Sequence, residues 1–155
     1  MALNNLRRYV RAFIQALVLT LRGEQPPALR AEADYPQTFA WFRATIALVK
    51  QAEEAAATHG FDATAFVEHI EGRDLSLATA LETIRFHAAQ EYPHLLRSAD
   101  PHARLAINAA NMNDHYWVAR FCQLERLPEP VRAALSALEE HLRAVPDERK
   151  PEAAS

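Results

Sequence analysis

Apolar side chains return every three or four positions along most of this chain, and that spacing serves an α-helix with one buried face. Phe39, Phe42, Ile46, Val49 and Ala56 share one face, and Leu77, Leu81, Ile84, Ala88 and Leu95 a second. Leu105, Ala109, Met112, Tyr116 and Ala119 mark a third, and Leu135, Leu138, Leu142 and Val145 a fourth. No stretch of strand length alternates. Glycine supports the same reading, with 3 in 155 residues, because tight strand turns, dinucleotide folds and phosphate loops all depend on it. The sequence therefore predicts an all-α fold, a small antiparallel helical bundle of about five helices. An N-terminal amphipathic helix on a proline-containing linker precedes it.

Prolines and capping residues set the boundaries. The first helix runs from about Leu3 to Arg22 and stops at Gly23, with Pro26-Pro27 beyond it. Residues 1–23 thus form the amphipathic element, 24–35 an extended linker, 36–145 the bundle and 146–155 a flexible tail. Within the bundle a helix opens near Pro36 and closes at Gly60, and Asp62 caps a short helix that Gly72 ends. Asp74 or Ser76 opens a longer helix toward Arg97, interrupted at Pro93. Asp100-Pro101 starts another that reaches about Glu125, and Val131 to Ala144 forms the last.

Charge is unevenly placed. Residues 1–23 carry Arg7, Arg8, Arg11 and Arg22 and no acid, while the remainder holds 13 basic against all 20 acidic residues. A mildly acidic body does not offer the broad basic face that nucleic acid requires. A helix-turn-helix over Ala63 to Glu82 fails on the same ground, since its second helix would carry no lysine or arginine before Arg85. Cys122 is the one cysteine, so no internal disulfide or cysteine zinc cluster can form, in keeping with a cytoplasmic setting. It reads as a core residue.

On the N-terminal helix, Leu6, Val10, Phe13, Ile14, Leu17 and Leu21 fall within an arc about 100° wide, and Arg8, Arg11 and Arg22 gather opposite with Arg7 at the border. Such a helix can lie in a lipid headgroup layer with its guanidinium groups on phosphates. It can also fill an apolar groove on a partner protein, or pack on its own bundle. The apolar run from Ala12 to Leu21 covers about 15 Å, half a hydrocarbon core, and cannot span a bilayer. Ala31-Glu32-Ala33 loosely imitates a signal-cleavage site, but Arg22 and Glu24 follow the run at once and two prolines intervene.

A second constellation is His87, Glu91 and His94, at i, i+4 and i+7, with Asn108, Asn111, Asp114 and His115 offered by the following helix and Glu53, Glu54 and Glu82 by neighbours. The Glu-x-x-His spacing is that of di-iron carboxylate bundles, which need two such pairs plus further glutamates. Only one pair is present, and Pro93 stands between its members. Asn108, Asn111 and His115 form a polar row beside a core stripe, suited to a network that fixes helix register or to the wall of a ligand cavity. Trp41 and Trp117 each adjoin another aromatic, so one of each pair is expected to leave the main stripe.

These features favour a non-catalytic accessory or interaction protein without a cofactor. It would dock through its basic amphipathic helix to an anionic membrane surface or a larger protein assembly. The alternative is a metal-binding, di-iron-like bundle or oxidoreductase that holds a transition metal on His87, Glu91, His94 and His115.

Overall fold

A computed structural model describes residues 2–21, 27–98 and 100–149. By its internal contacts the chain divides into two units, Met1–Pro36 with Arg149–Ser155, and Gln37–Glu148. The fold is all-α apart from one hairpin among the described residues.

The first unit holds α1 (Ala2–Leu21) and α2 (Pro27–Asp34). The second of these corrects the expected extended linker. Proline is tolerated in the first turn of a helix, and the residues behind Pro27 are mostly alanine, leucine, arginine and glutamate, which favour helix once started. Residues 22–26, with the predicted stop at Gly23, lie outside the described residues.

The second unit is the bundle. It is built from α3 (Pro36–Thr58), α4 (Leu77–Phe86), α5 (Tyr92–Arg97), α6 (Ala103–Cys122) and α7 (Glu129–Arg143). The strands β1 (Val67–Ile70) and β2 (Arg73–Ser76) are inserted between α3 and α4. Its core is formed by Phe42 and Val49 of α3, Leu81 and Ile84 of α4, Ile107, Val118 and Phe121 of α6, and Val131, Leu135, Leu138 and Leu142 of α7. Asn111 contacts Leu142, His115 contacts Glu139, and Leu124 contacts Arg132. Sequence numbers thus fall on one helix as they rise on the other, which makes α6 and α7 an antiparallel hairpin.

The hairpin replaces the short helix expected to end at Ile70. Asp62 does cap, but only one turn, accepting from the Thr64 and Ala65 amides at 3.0 and 3.3 Å. The strands then pair antiparallel from Val67 opposite Ser76 to Ile70 opposite Arg73. Glu71 and Gly72 between them have φ of 54° and 80°, the two left-handed residues of a tight hairpin turn. Gly72 is a turn residue rather than a helix stop. Ile70 and Leu75 point into the core, and that burial holds a ribbon too small to stand alone. Leu75 and Ser76 belong to β2, so α4 follows a hairpin rather than a first helix and no helix-turn-helix forms there.

Ser76 caps α4 as its type predicts, its Oγ accepting from the Thr79 amide at 3.0 Å. The helix does not run on as a uniform α-helix. A π turn, His87–Glu91, joins α4 to α5, and the Tyr92 amide bonds back to the His87 carbonyl. Pro93 explains it: proline has no N–H for the Ala89 carbonyl, and its ring would crowd that carbonyl in a tight α turn. A wider turn relieves both, and inserts one extra residue. Burial follows the insertion, passing from Leu81, Ile84 and Ala88 to Tyr92 and Leu96, while Leu95, expected on this stripe, is only half-buried.

The third predicted stripe is also corrected. Leu105, Met112 and Tyr116 are exposed, and α6 buries Ile107, Asn111, Asp114, Val118 and Phe121 instead. Two polar residues lie on the true inward face, so hydrophobicity alone selects the wrong side of this helix. Trp41 and Phe42 are both buried, whereas Tyr116 leaves the core beside buried Trp117. The chain beyond α7 is not loose throughout. Glu148 accepts from the Gln37 amide at 3.1 Å, the Thr38 amide at 2.7 Å and the Thr38 hydroxyl at 2.8 Å. It thereby caps α3 from 110 residues away.

Candidate functional site

Two places hold the residues that the sequence nominates. On α1, described by itself, Tyr9, Val10, Phe13, Ile14, Leu17 and Val18 are between 39% and 76% exposed. Arg7, Arg8 and Arg11 are exposed as well, and the sequence puts no acidic residue on this helix. Leu6 and Leu21 lie on α1 at positions whose side chains are outside the described ones, and Arg22 lies outside the described residues. Among the described residues no helix is long and apolar enough to cross a membrane.

The second place is inside the bundle, where α6 meets the π turn. Asp114 is buried, its side chain 1% exposed. Its Oδ2 accepts from His87 Nδ1 at 2.8 Å and from the Tyr92 hydroxyl at 2.9 Å. The rings of His87 and Tyr92 stack with centroids 5.2 Å apart. The extra residue of the turn makes this possible, since His87 and Tyr92 are five apart and an α-helix would separate them by more than a quarter-turn. The acceptor at Nδ1 leaves Nε2 as the outward nitrogen, 3.6 Å from Glu91 Oε2. Burial opposes protonation of His87, but the hydrogen bond and charge of Asp114 and the charge of Glu91 more than offset it, so its pKa lies above the ordinary imidazole value. Burial, reinforced by Asp114, pushes the Tyr92 phenol far above its usual range.

This arrangement can hold a proton on His87 and lock α5 to α6. It does not assemble the four-residue metal set. His87 and Glu91 adjoin, but His115 Nε2 donates to Glu139 of α7 at 2.8 Å. The π turn also carries His94 about 100° away from the face an unbroken α-helix would give it. His94 is exposed there. Among the described residues no three His, Cys, Asp or Glu side chains are grouped to hold a metal ion. The sequence offers Asp114 as a further metal ligand, not as the buried acceptor for His87. It singles out neither Tyr92 nor Glu139, and only the proline at 93 hints at the altered turn.

Asn111 is the buried member of the polar row, its Nδ2 donating to the Leu142 carbonyl at 2.8 Å, while Asn108 is exposed. Cys122 is half-buried, and desolvation raises its pKa. A thiol held protonated in this way is a weak nucleophile.

No known protein family matches this chain, and neither a curated protein nor a solved structure shows significant similarity to it.

Proposed function

We propose that this chain is a non-catalytic docking protein whose α1 lies in the headgroup layer of an anionic membrane while residues 37–148 form the body it carries. The observation behind this reading is the exposure of six large apolar side chains on a helix whose charged residues are all arginine. An apolar flank of that kind calls for burial, and a purely cationic flank calls for an anionic partner, which a phospholipid surface supplies together. Phe13, Ile14 and Leu17 each gain about 1.5–3 kcal/mol if fully removed from water. Each arginine adds roughly 1 kcal/mol near an anionic surface, screened by salt. Adsorption of this strength is reversible and salt-sensitive.

Vesicle flotation tests it. The full chain should float with phosphatidylglycerol-containing vesicles at low salt, float less at high salt, and stay behind with phosphatidylcholine alone. Phe13→Glu combined with Leu17→Glu should abolish flotation and leave the circular dichroism of the bundle unchanged. No flotation at low salt, or equal flotation of the double variant, overturns the proposal.

A further inference from the structure

The stripe that apolar spacing marks as core on α6 is the one the bundle leaves outside. Leu105, Met112 and Tyr116 are 67%, 72% and 45% exposed, with Ala109 exposed between them and Ala119 half-buried beyond. The opposite side of the helix is committed to the interior through Ile107, Asn111, Asp114, Val118 and Phe121. From Leu105 to Ala119 the one Asp, Glu, Lys or Arg is Asp114, and it is buried. Over those four turns, about 21 Å, α6 therefore shows solvent no carboxylate, ammonium or guanidinium. A helix that is apolar on both sides belongs inside something larger.

The spacing specifies the form of the cover. Leu105, Ala109, Met112, Tyr116 and Ala119 follow one another at intervals of four, three, four and three residues. That alternation is the seam of a coiled coil, whose complement is another helix. Asn108 and Asn113 border the seam on its two edges and are exposed, so no like charges would oppose each other across a pair of such faces.

Side-chain sizes make the stripe its own complement. A two-fold axis level with the Ala110–Asn111 peptide sets Ala109 of each copy against Met112 of the other, and Leu105 against Tyr116. The four layers use each large group of the stripe once per copy, and the smallest side chain meets the longest. A parallel pair would instead set Ala109 on Ala109 and Tyr116 on Tyr116, a void beside a clash.

We infer that this chain associates with a second copy of itself through the outer face of α6, as an antiparallel two-fold dimer in which Ala109 packs on Met112 and Leu105 on Tyr116. A seam of this length buries roughly 1,000 Å² in the pair, the lower limit for a specific interface. The dimer is accordingly reversible, with a Kd of about 10–100 μM.

Sedimentation equilibrium of the full chain, without lipid, tests it. The mass should rise with concentration toward twice the 17.4 kDa of one chain. Ala109→Glu and Met112→Lys each place a charge in an apolar layer, and each alone should weaken association by about tenfold or more. Both positions are exposed, so the circular dichroism should not change. An equimolar mixture of the two variants should regain about tenfold, because the register brings the new glutamate of one against the new lysine of the other. Should either variant misfold, Leu105→Glu mixed with Tyr116→Lys makes the same comparison in the outer layer. Phe13→Glu combined with Leu17→Glu, which alters α1 alone, should dimerise like the unaltered chain. A chain that stays monomeric at about 1 mM overturns the inference. So does a mixture no tighter than its components, and so does loss of the dimer in the α1 variant, which would assign the contact to α1.

Discussion

Replacing Glu148 with alanine removes three hydrogen bonds from the first turn of α3, those from the Gln37 amide, the Thr38 amide and the Thr38 hydroxyl. Losing an N-cap of this kind costs about 0.5–2 kcal/mol, and losing a negative charge beside a helix N-terminus about 0.3–1 kcal/mol more. The carboxylate is partly exposed, which discounts the charge contribution. A net loss of about 1.5 kcal/mol follows, or roughly 5 °C in Tm for a domain of this size. Desolvation opposes ionisation of Glu148, but the bonds from Thr38 and Gln37 and the charge of Arg104 more than offset it, so its folded pKa lies below the ordinary value of 4.5. A depressed carboxyl contributes stability above its unfolded pKa and loses it as pH falls through the folded one. The gap between the wild-type chain and Glu148→Ala should therefore be full near neutrality and narrow once the pH drops below about 4.5. Urea unfolding followed by tryptophan fluorescence reads both, with Glu148→Gln expected in between. A gap under about 0.3 kcal/mol at neutral pH would show that this cross-chain cap contributes nothing, and one undiminished in acid that its contribution does not come from the ionised carboxylate.

Two further predictions concern the interior and the hairpin. Asp114→Asn should destabilise the bundle by about 2–4 kcal/mol, because the partners of a buried carboxylate lose it. Since the pKa of His87 is raised in the folded state, its contribution is full below the unfolded value and fades as pH rises through the folded one. Wild-type stability should accordingly decline as pH rises above about 6.5, the unfolded value, and the decline should be shallower in Asp114→Asn. Gly72→Ala meets no atom within 4 Å of the added Cβ, so only the left-handed backbone at φ 80° is penalised. The expected cost is about 1 kcal/mol in urea titration, and a much larger one would mean that the turn is packed against something.

Most of the helical architecture could be read from the chain because apolar spacing and capping residues agree along α3, α4 and α7. Leu135, Leu138 and Leu142 are buried where their stripe placed them, and Ser76 caps where its hydroxyl predicts. The reading failed where a polar residue outranked an apolar one for the interior. Asn111 and Asp114 each have a specific partner inside, so α6 turns them inward and leaves Leu105 and Met112 to the surface. It failed again at β1 and β2, four residues each, too short for alternation to stand out from a helical pattern. The His87 site was half legible. Its imidazole and Asp114 could be named, but Tyr92 joins them only through a turn whose period is not 3.6. Glu148 could not have been matched to Thr38 at all, because no local pattern links residues 110 apart.

The five-residue turn at His87–Glu91 also governs how this rod can vary in length. Its surplus residue acts as slack: deleting exposed Ala89 or Gln90 would use it up and leave Tyr92 and Leu96 in their berths, whereas one more residue there would roll both about a quarter-turn out of them. A one-residue gain that an ordinary surface loop would absorb would here uncouple half a helix from its neighbours.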